Sequence, residues 1–237
     1  MKRTDRKITK RIARTLILLS FSLIFFTACN KGERGTVNTS DGQPKPFTSS
    51  AEAVQQGKKD LTELLKARTD LNLGTDAAQV EKSQPEQGLE AFEVDFQKLL
   101  QAADNITGLE QVAGAAKGNT TPLSVENQVI AIIDTRKDTE GWRVSAISNQ
   151  AIKKDLNEIR KARADLKGKM NYFEVPNINA RIYSVSVDGQ NQYVTNYDGF
   201  TFEKPVSISE LVSKLRADAQ VFERKYGEEL KKQKLVK

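Results

Sequence analysis

Val129-Ile130-Ala131-Ile132-Ile133, then a polar stretch at 135–141, then Trp142-Arg143-Val144-Ser145-Ala146-Ile147: the fold turns on this passage. The first run is β-branched almost throughout and fits a strand buried on both faces. The second alternates apolar and polar residues, so the polar stretch between them reads as a hairpin loop. Directly afterwards the period changes. Ser148 is placed to cap a helix whose apolar stripe is Ile152, Leu156, Ile159 and Leu166, closed by Gly168. Hairpin followed by amphipathic helix is the signature of an α+β domain, not of parallel βαβ units.

The pattern recurs downstream. Residues 171–175 (NYFEV) predict a strand stopped by Pro176. Tyr183, Val185 and Val187 alternate into Asp188-Gly189, a pair suited to a tight turn, and Tyr193 to Tyr197 return. The last helix starts from a Ser207/Glu210 capping box with Val206 stapled onto Leu211, and Ile208, Leu211, Val212, Leu215, Phe222 and Tyr226 mark one face. Hairpin-then-helix thus occurs at 129–166 and again at 180–230, as a duplicated unit or as an ordinary way to cover a sheet.

Upstream the signals are weaker. Ser49 with Glu52 begins a helix carrying Val54, Leu61, Leu64 and Leu65 and interrupted by Gly57. Residues 69–88 are polar, hold Gly74, Pro85 and Gly88, and read as a long loop. Phe92, Val94 and Phe96 alternate as in a strand, whereas Phe92, Phe96, Leu99 and Ala103 space as in a helix. A strand to about Asp95 and a helix to about Ala103 reconciles them. The expected architecture is α+β: a mainly antiparallel sheet built from hairpins and covered by amphipathic helices on one side. Residues 51–237 form this single domain, divisible into a helical segment, 51–120, and a hairpin–helix segment, 121–230.

Charge and composition bound the chemistry. The chain has 237 residues, 37 bases and 31 acids, a formal charge of +6. Seven of the bases and one acid lie in residues 1–28, which leaves 30 of each in residues 29–237. The body is formally neutral, so no nucleic-acid partner is expected. Histidine is absent, which removes His-based acid–base catalysis, His-activated nucleophiles and imidazole metal ligands. Cys29 is the sole cysteine, so an intramolecular disulfide, a redox pair and a zinc cluster are excluded. No metal and no cofactor are expected.

Residues 1–14 (MKRTDRKITKRIAR) are basic, and residues 15–28 (TLILLSFSLIFFTA) are uncharged and apolar. Fourteen helical residues rise about 21 Å, short of the ~30 Å hydrocarbon core, which suits a signal-peptide core better than a spanning helix. Phe26-Thr27-Ala28-Cys29 resembles the lipobox of bacterial lipoproteins, with Phe26 where leucine is commoner. The resemblance covers residues 1–29 and implies cleavage between Ala28 and Cys29 with diacylglyceryl modification of the Cys29 sulfur. It places the chain outside the cytoplasm, held to the lipid bilayer through acylated Cys29 and facing the periplasm or the cell surface. Asn30, where an inner-membrane retention signal carries aspartate, leans toward outer-membrane sorting. Residues 30–50 have a linker composition and, as a flexible chain, an end-to-end distance of about 25 Å. The body resembles no characterised family.

Candidate sites have modest alternatives. Glu90, Glu93 and Asp95 could serve acid–base or calcium chemistry, or form a solvated face. Trp142 could stack on a ligand or lie in the core. Tyr183, Tyr193 and Tyr197, with Phe200 and Phe202, gather aromatics around the second hairpin, for cross-strand packing or for a ligand or partner surface. The C-terminal bases Arg224, Lys225, Lys231, Lys232, Lys234 and Lys237 could graze anionic head groups or simply complement a helix end. No catalytic motif stands out. The reading is an envelope lipoprotein that binds an envelope protein or small ligand without catalysis. The alternatives are a hydrolase with paired carboxylates across a cleft, and an uncleaved signal-anchor protein.

Overall fold

Five α-helices and eight strands follow one another in the computed structural model, which describes residues 45–166, 168–187 and 189–234. They are α1 (Ser50–Ala67), α2 (Ala77–Lys82), β1 (Gln84–Pro85), β2 (Leu89–Val94), α3 (Phe96–Leu100), β3 (Ala113–Val125), β4 (Gln128–Lys137), β5 (Trp142–Ile147), α4 (Gln150–Ala162), β6 (Met170–Val175), β7 (Ala180–Val187), β8 (Gln190–Val194) and α5 (Ile208–Lys234). All described residues belong to one compact unit, Pro44–Lys237. Cys29, Ala28 and the leader, the Asp188 of the second turn, and Lys237 lie outside the described residues.

The strands make one sheet in the order β5-β4-β3-β2-β6-β7-β8, with β1 paired to β3 beyond the start of β2. Every pairing is antiparallel except β2 with β6. The α+β class and the mainly antiparallel sheet stand as expected. The β4–β5 and β7–β8 hairpins fall where the alternation put them.

Helices cover both faces, however, not one. Consecutive residues on β6 and β7 point opposite ways. Tyr172 and Tyr183 join a core cluster with Ile152, Leu156 and Ile159 of α4. Phe173 and Ile182 join another with Leu211, Val212 and Leu215 of α5. On β4, Ile132 packs into the α4 cluster while Ile133 packs with Val54, Leu61 and Leu65 of α1. So α4 lies on one face and α1 with α5 on the other. Both parities of these strands are apolar, and each needs its own cover.

Three local expectations change. Residues 69–88 are not one loop: Asp76 and Gln79 form a reciprocal capping box for α2, and Val80 anchors that helix in the core. The α4 cap is Asn149, whose side chain accepts the Ile152 N–H at 3.2 Å, while Ser148 takes a left-handed φ of 65°. That helix ends at Ala162, ahead of Gly168. The longest strand, β3, runs largely inside the segment 51–120 expected to be helical, and it carries Gly114, Gly118 and Pro122. Pro122 sits opposite the interruption between β1 and β2, where no partner strand needs its missing N–H. Gly118 sits at a register shift where a Cβ would lie 1.9 Å from the Thr135 carbonyl oxygen, so only glycine lets β3 and β4 approach.

Gly57, too, permits close contact rather than interrupting. A Cβ there would lie 2.8 Å from an Ile133 methyl, so its absence lets α1 settle on β4 and β5. Leu64 drops out of the predicted stripe, at 41% exposed. At the sheet edge Phe47 pairs with Trp142 through two backbone hydrogen bonds of 2.7 and 2.8 Å. Trp142 is accordingly half-buried against the end of the tether instead of sitting in the core. No helix among the described residues is long and apolar enough to cross a membrane.

Candidate functional site

Helix α4 builds the most distinctive chemistry in the molecule, and its sequence explains how. Ile152, Leu156 and Ile159 recur at helical spacing and face the sheet, so the next positions on that stripe are Arg160 and Arg163, four residues beyond Leu156 and Ile159. Asp155 shares the buried side. Asn157 locks the helix to the strand below: its amide donates to the Val129 carbonyl at 2.8 Å and accepts the Val129 N–H at 2.9 Å. The helix therefore covers two different environments, a charged cluster along its middle and an open cleft at its C-terminal end.

In the cluster, the Asp155 carboxylate is 1% exposed. It accepts from Arg181 Nε at 2.6 Å and from the Tyr183 hydroxyl at 2.9 Å. Burial pushes the Tyr183 phenol well above its ordinary range, and the Asp155 charge adds to that. Burial and the nearby Glu174 carboxylate push Tyr172 the same way. Its hydrogen bond to Asp155 holds the Arg181 guanidinium in its charged form. Nearby, burial raises the Asp134 carboxyl, Glu174 adds to it, and hydrogen bonds from Thr120 and Asn149 oppose it. Asp134 Oδ1 is enclosed without a hydrogen-bond partner. The ion pair and the tyrosine hydroxyl satisfy one another, which suits a structural tie between α4 and β7.

The cleft has a volume of about 400 Å³. Leu89, Pro122, Leu156, Ile159, Leu166 and Met170 supply an apolar floor and walls, and Glu86, Gln87, Asn127, Arg160 and Arg163 the polar rim. Arg160 pairs with Glu86 and donates to the Asn127 carbonyl at 2.9 Å and to Ser124 at 3.2 Å. It thereby ties α4 to the β3–β4 turn and to the β1–β2 connection. Glu126 and Asn127 at that turn both have left-handed φ, 49° and 67°. Arg163 forks onto Asp165 at 2.9 and 2.7 Å and reaches Gln192 at 3.2 Å, while its Nη1 is enclosed with no acceptor.

The aromatics singled out in the sequence divide between the two faces: Tyr183 meets Phe202 edge-on at 6.0 Å under α4, and Tyr193, Tyr197 and Phe200 join the cluster under α5. Tyr183 is fully buried on the α4 face, and Tyr193, 2% exposed, is buried on the α5 face, where its hydroxyl accepts the Leu109 N–H at 3.3 Å. Tyr197 donates to Asp218 at 2.7 Å beside a polar hollow that also holds Arg181, Asn196 and Asp198. Phe200 borders a separate hollow with Phe202, Glu158 and Lys161. Tyr183 and Tyr193 are core residues, and only Tyr197 and Phe200 reach a surface. The carboxylates in and just after β2 are engaged: Glu93 pairs with Lys117, Glu90 with Lys169 at 3.1 Å, and Asp95 caps α3 with 3.0 Å bonds from Gln97 and Lys98. Among the described residues, no group of three or more acidic or cysteine side chains is placed to hold a metal ion.

Reasoning from sequence missed the cleft, since its walls come from the β1–β2 connection, β2, β3, α4 and β6. The available signal was the apolar stripe of α4 running into two arginines. Comparison with known proteins adds nothing to this geometry: no family model, no curated protein and no solved structure matches the chain.

Proposed function

We propose that this chain is a lipid-anchored lipoprotein of the bacterial cell envelope whose α+β body is a binding module, with the cleft at the end of α4 as its binding site. One observation carries the anchor: a basic start, a short apolar run and small residues lead without interruption into Cys29, the sole cysteine. Each buried methylene contributes about 0.8 kcal/mol, so two or more acyl chains hold a protein on a bilayer far more durably than one. The body supports binding because its cleft sets apolar side chains beside convergent polar and charged groups, a combination found in small-molecule sites.

Cys29→Ala in the full chain, followed by fractionation of the producing cells, tests the proposal. The unaltered chain should be in the membrane fraction as a processed form, and the variant should retain its leader or leave that fraction. Identical size and location for both would contradict it. A photocrosslinking residue at Gln87, on the cleft rim, should capture a ligand that the same residue at Lys59, on the outer side of α1, does not.

A further inference from the structure

We propose that the cleft takes a single-chain amphiphile with one anionic head group, a carboxylate or a phosphate, and that Arg163 reads the head. The inference rests on the cleft being the binding site and adds the chemistry of its occupant. The apolar floor calls for a hydrocarbon body, and about 400 Å³ lies near the small end of the roughly 300–1,000 Å³ range of small-molecule sites. That size favours one chain over two.

The charge of the head follows from where the cleft's ions sit. Arg160 and Arg163 have side chains 23% and 12% exposed, whereas their partners Glu86 and Asp165 are 36% and 64% exposed. Arg163 lies inward and its partner Asp165 outward in water, where screening weakens it, whereas Glu86 shares the cleft lining with Arg160. The C-terminal pole of α4 alone would repel an anion, and Arg163, whose partner Asp165 stands in water, offsets that pole. Arg163 adds a specific unused donor. Asp165 and Gln192 occupy Nε and Nη2, and Nη1 has no acceptor. Arg163 lines the cleft, and an anionic oxygen would be the best partner for that donor. Decyl chains carrying different heads separate these terms.

Calorimetric titration of the body, residues 30–237, is the test, since the compact unit holds its own core. Decanoate, decyl phosphate and decanol are added below their micelle concentrations. The proposal expects one or both anions to bind roughly ten- to a hundredfold more tightly than decanol, the scale of a charged hydrogen bond. The stronger anion identifies the head as carboxylate or phosphate. Arg163→Gln should bring the anions down to the level of decanol, and Arg163→Lys, which keeps the charge without the fork, should retain part of the preference. Leu166→Trp, which fills the cleft, should abolish binding of all three. Equal binding of anions and decanol overturns this proposal and leaves the cleft as the site. A preference that survives both Arg163 variants also overturns it. Binding unaffected by Leu166→Trp, or no binding at all, overturns the cleft as the site together with this inference.

Discussion

The two faces of the sheet solve the same problem with different materials. Under α5, Phe173, Val175, Ile182, Tyr193, Leu211 and Leu215 close into an almost wholly apolar layer, with Phe92 stacked on Phe173 at 5.1 Å. Under α4, apolar residues share the interface with the Asp155–Arg181–Tyr183 cluster, and the far end stays open as a cleft. Apolar layers cohere through area alone and tolerate no gap. The α4 face gives part of its area to ions, which add little net stability but set the helix at one position. A helix held by directed bonds at its middle can leave its end free to border a ligand.

That contrast predicts unequal responses to mutation. Asp155→Ala should be among the most damaging, about 3–5 kcal/mol, because it strands the Arg181 charge and the Tyr183 hydroxyl. Phe173→Ala on the other face should cost a similar 3–5 kcal/mol for a different reason, the cavity. Replacement of the whole cluster tells the two apart: Asp155→Leu, Arg181→Met and Tyr183→Phe together should restore much of the stability, since no charge is left stranded. Urea titration measures all three, and a triple variant as unstable as Asp155→Ala would show that the ions are indispensable.

Alkaline unfolding comes next. Tyr172, Tyr183 and Tyr193 are buried and have raised pKa values, so the folded state keeps these phenols protonated while the unfolded chain ionises near pH 10. Their stabilisation is intact below pH 10 and is lost as pH rises beyond it, by at most about 1.4 kcal/mol per tyrosine per unit. Stability should hold from pH 9 to about pH 10 and fall from there to pH 11, and Tyr172→Phe should reduce that fall. A flat profile would mean that these hydroxyls titrate freely.

Asn157→Ala should cost about 2 kcal/mol, because it leaves the buried Val129 N–H and carbonyl without partners. Hydrogen exchange at Val129 should accelerate with it. Smallest is Asn149→Ala, about 1 kcal/mol for the lost cap of α4. A thermal melt resolves it, and a loss as large as that of Asp155→Ala would mean that the N-terminus, and not the middle, secures the helix.

How far the sequence reaches is clear from individual elements. The hairpins of β4–β5 and β7–β8 were readable because alternation and turn residues are local signals. The strand β3 was not, because Gly118 and Pro122 are there for neighbours that the linear chain does not show: the Thr135 carbonyl and the gap between β1 and β2. One-sided covering failed for the same reason, since the apolar residues on both parities of β6 become meaningful only once α4 and α5 are placed. Among the site residues, Tyr183 was singled out as an aromatic, yet its role comes from Asp155, 28 positions away. Arg160 and Arg163 look like ordinary last-turn bases until the β1–β2 connection and β3 supply the opposite wall.

Mass spectrometry of the mature N-terminal peptide, isolated from the membranes of cells producing the full chain, tests the central claim most directly. A peptide beginning at Cys29 and carrying a diacylglyceryl group on sulfur is the predicted result. A chain still beginning at Met1, or a Cys29 with a free thiol, would contradict it.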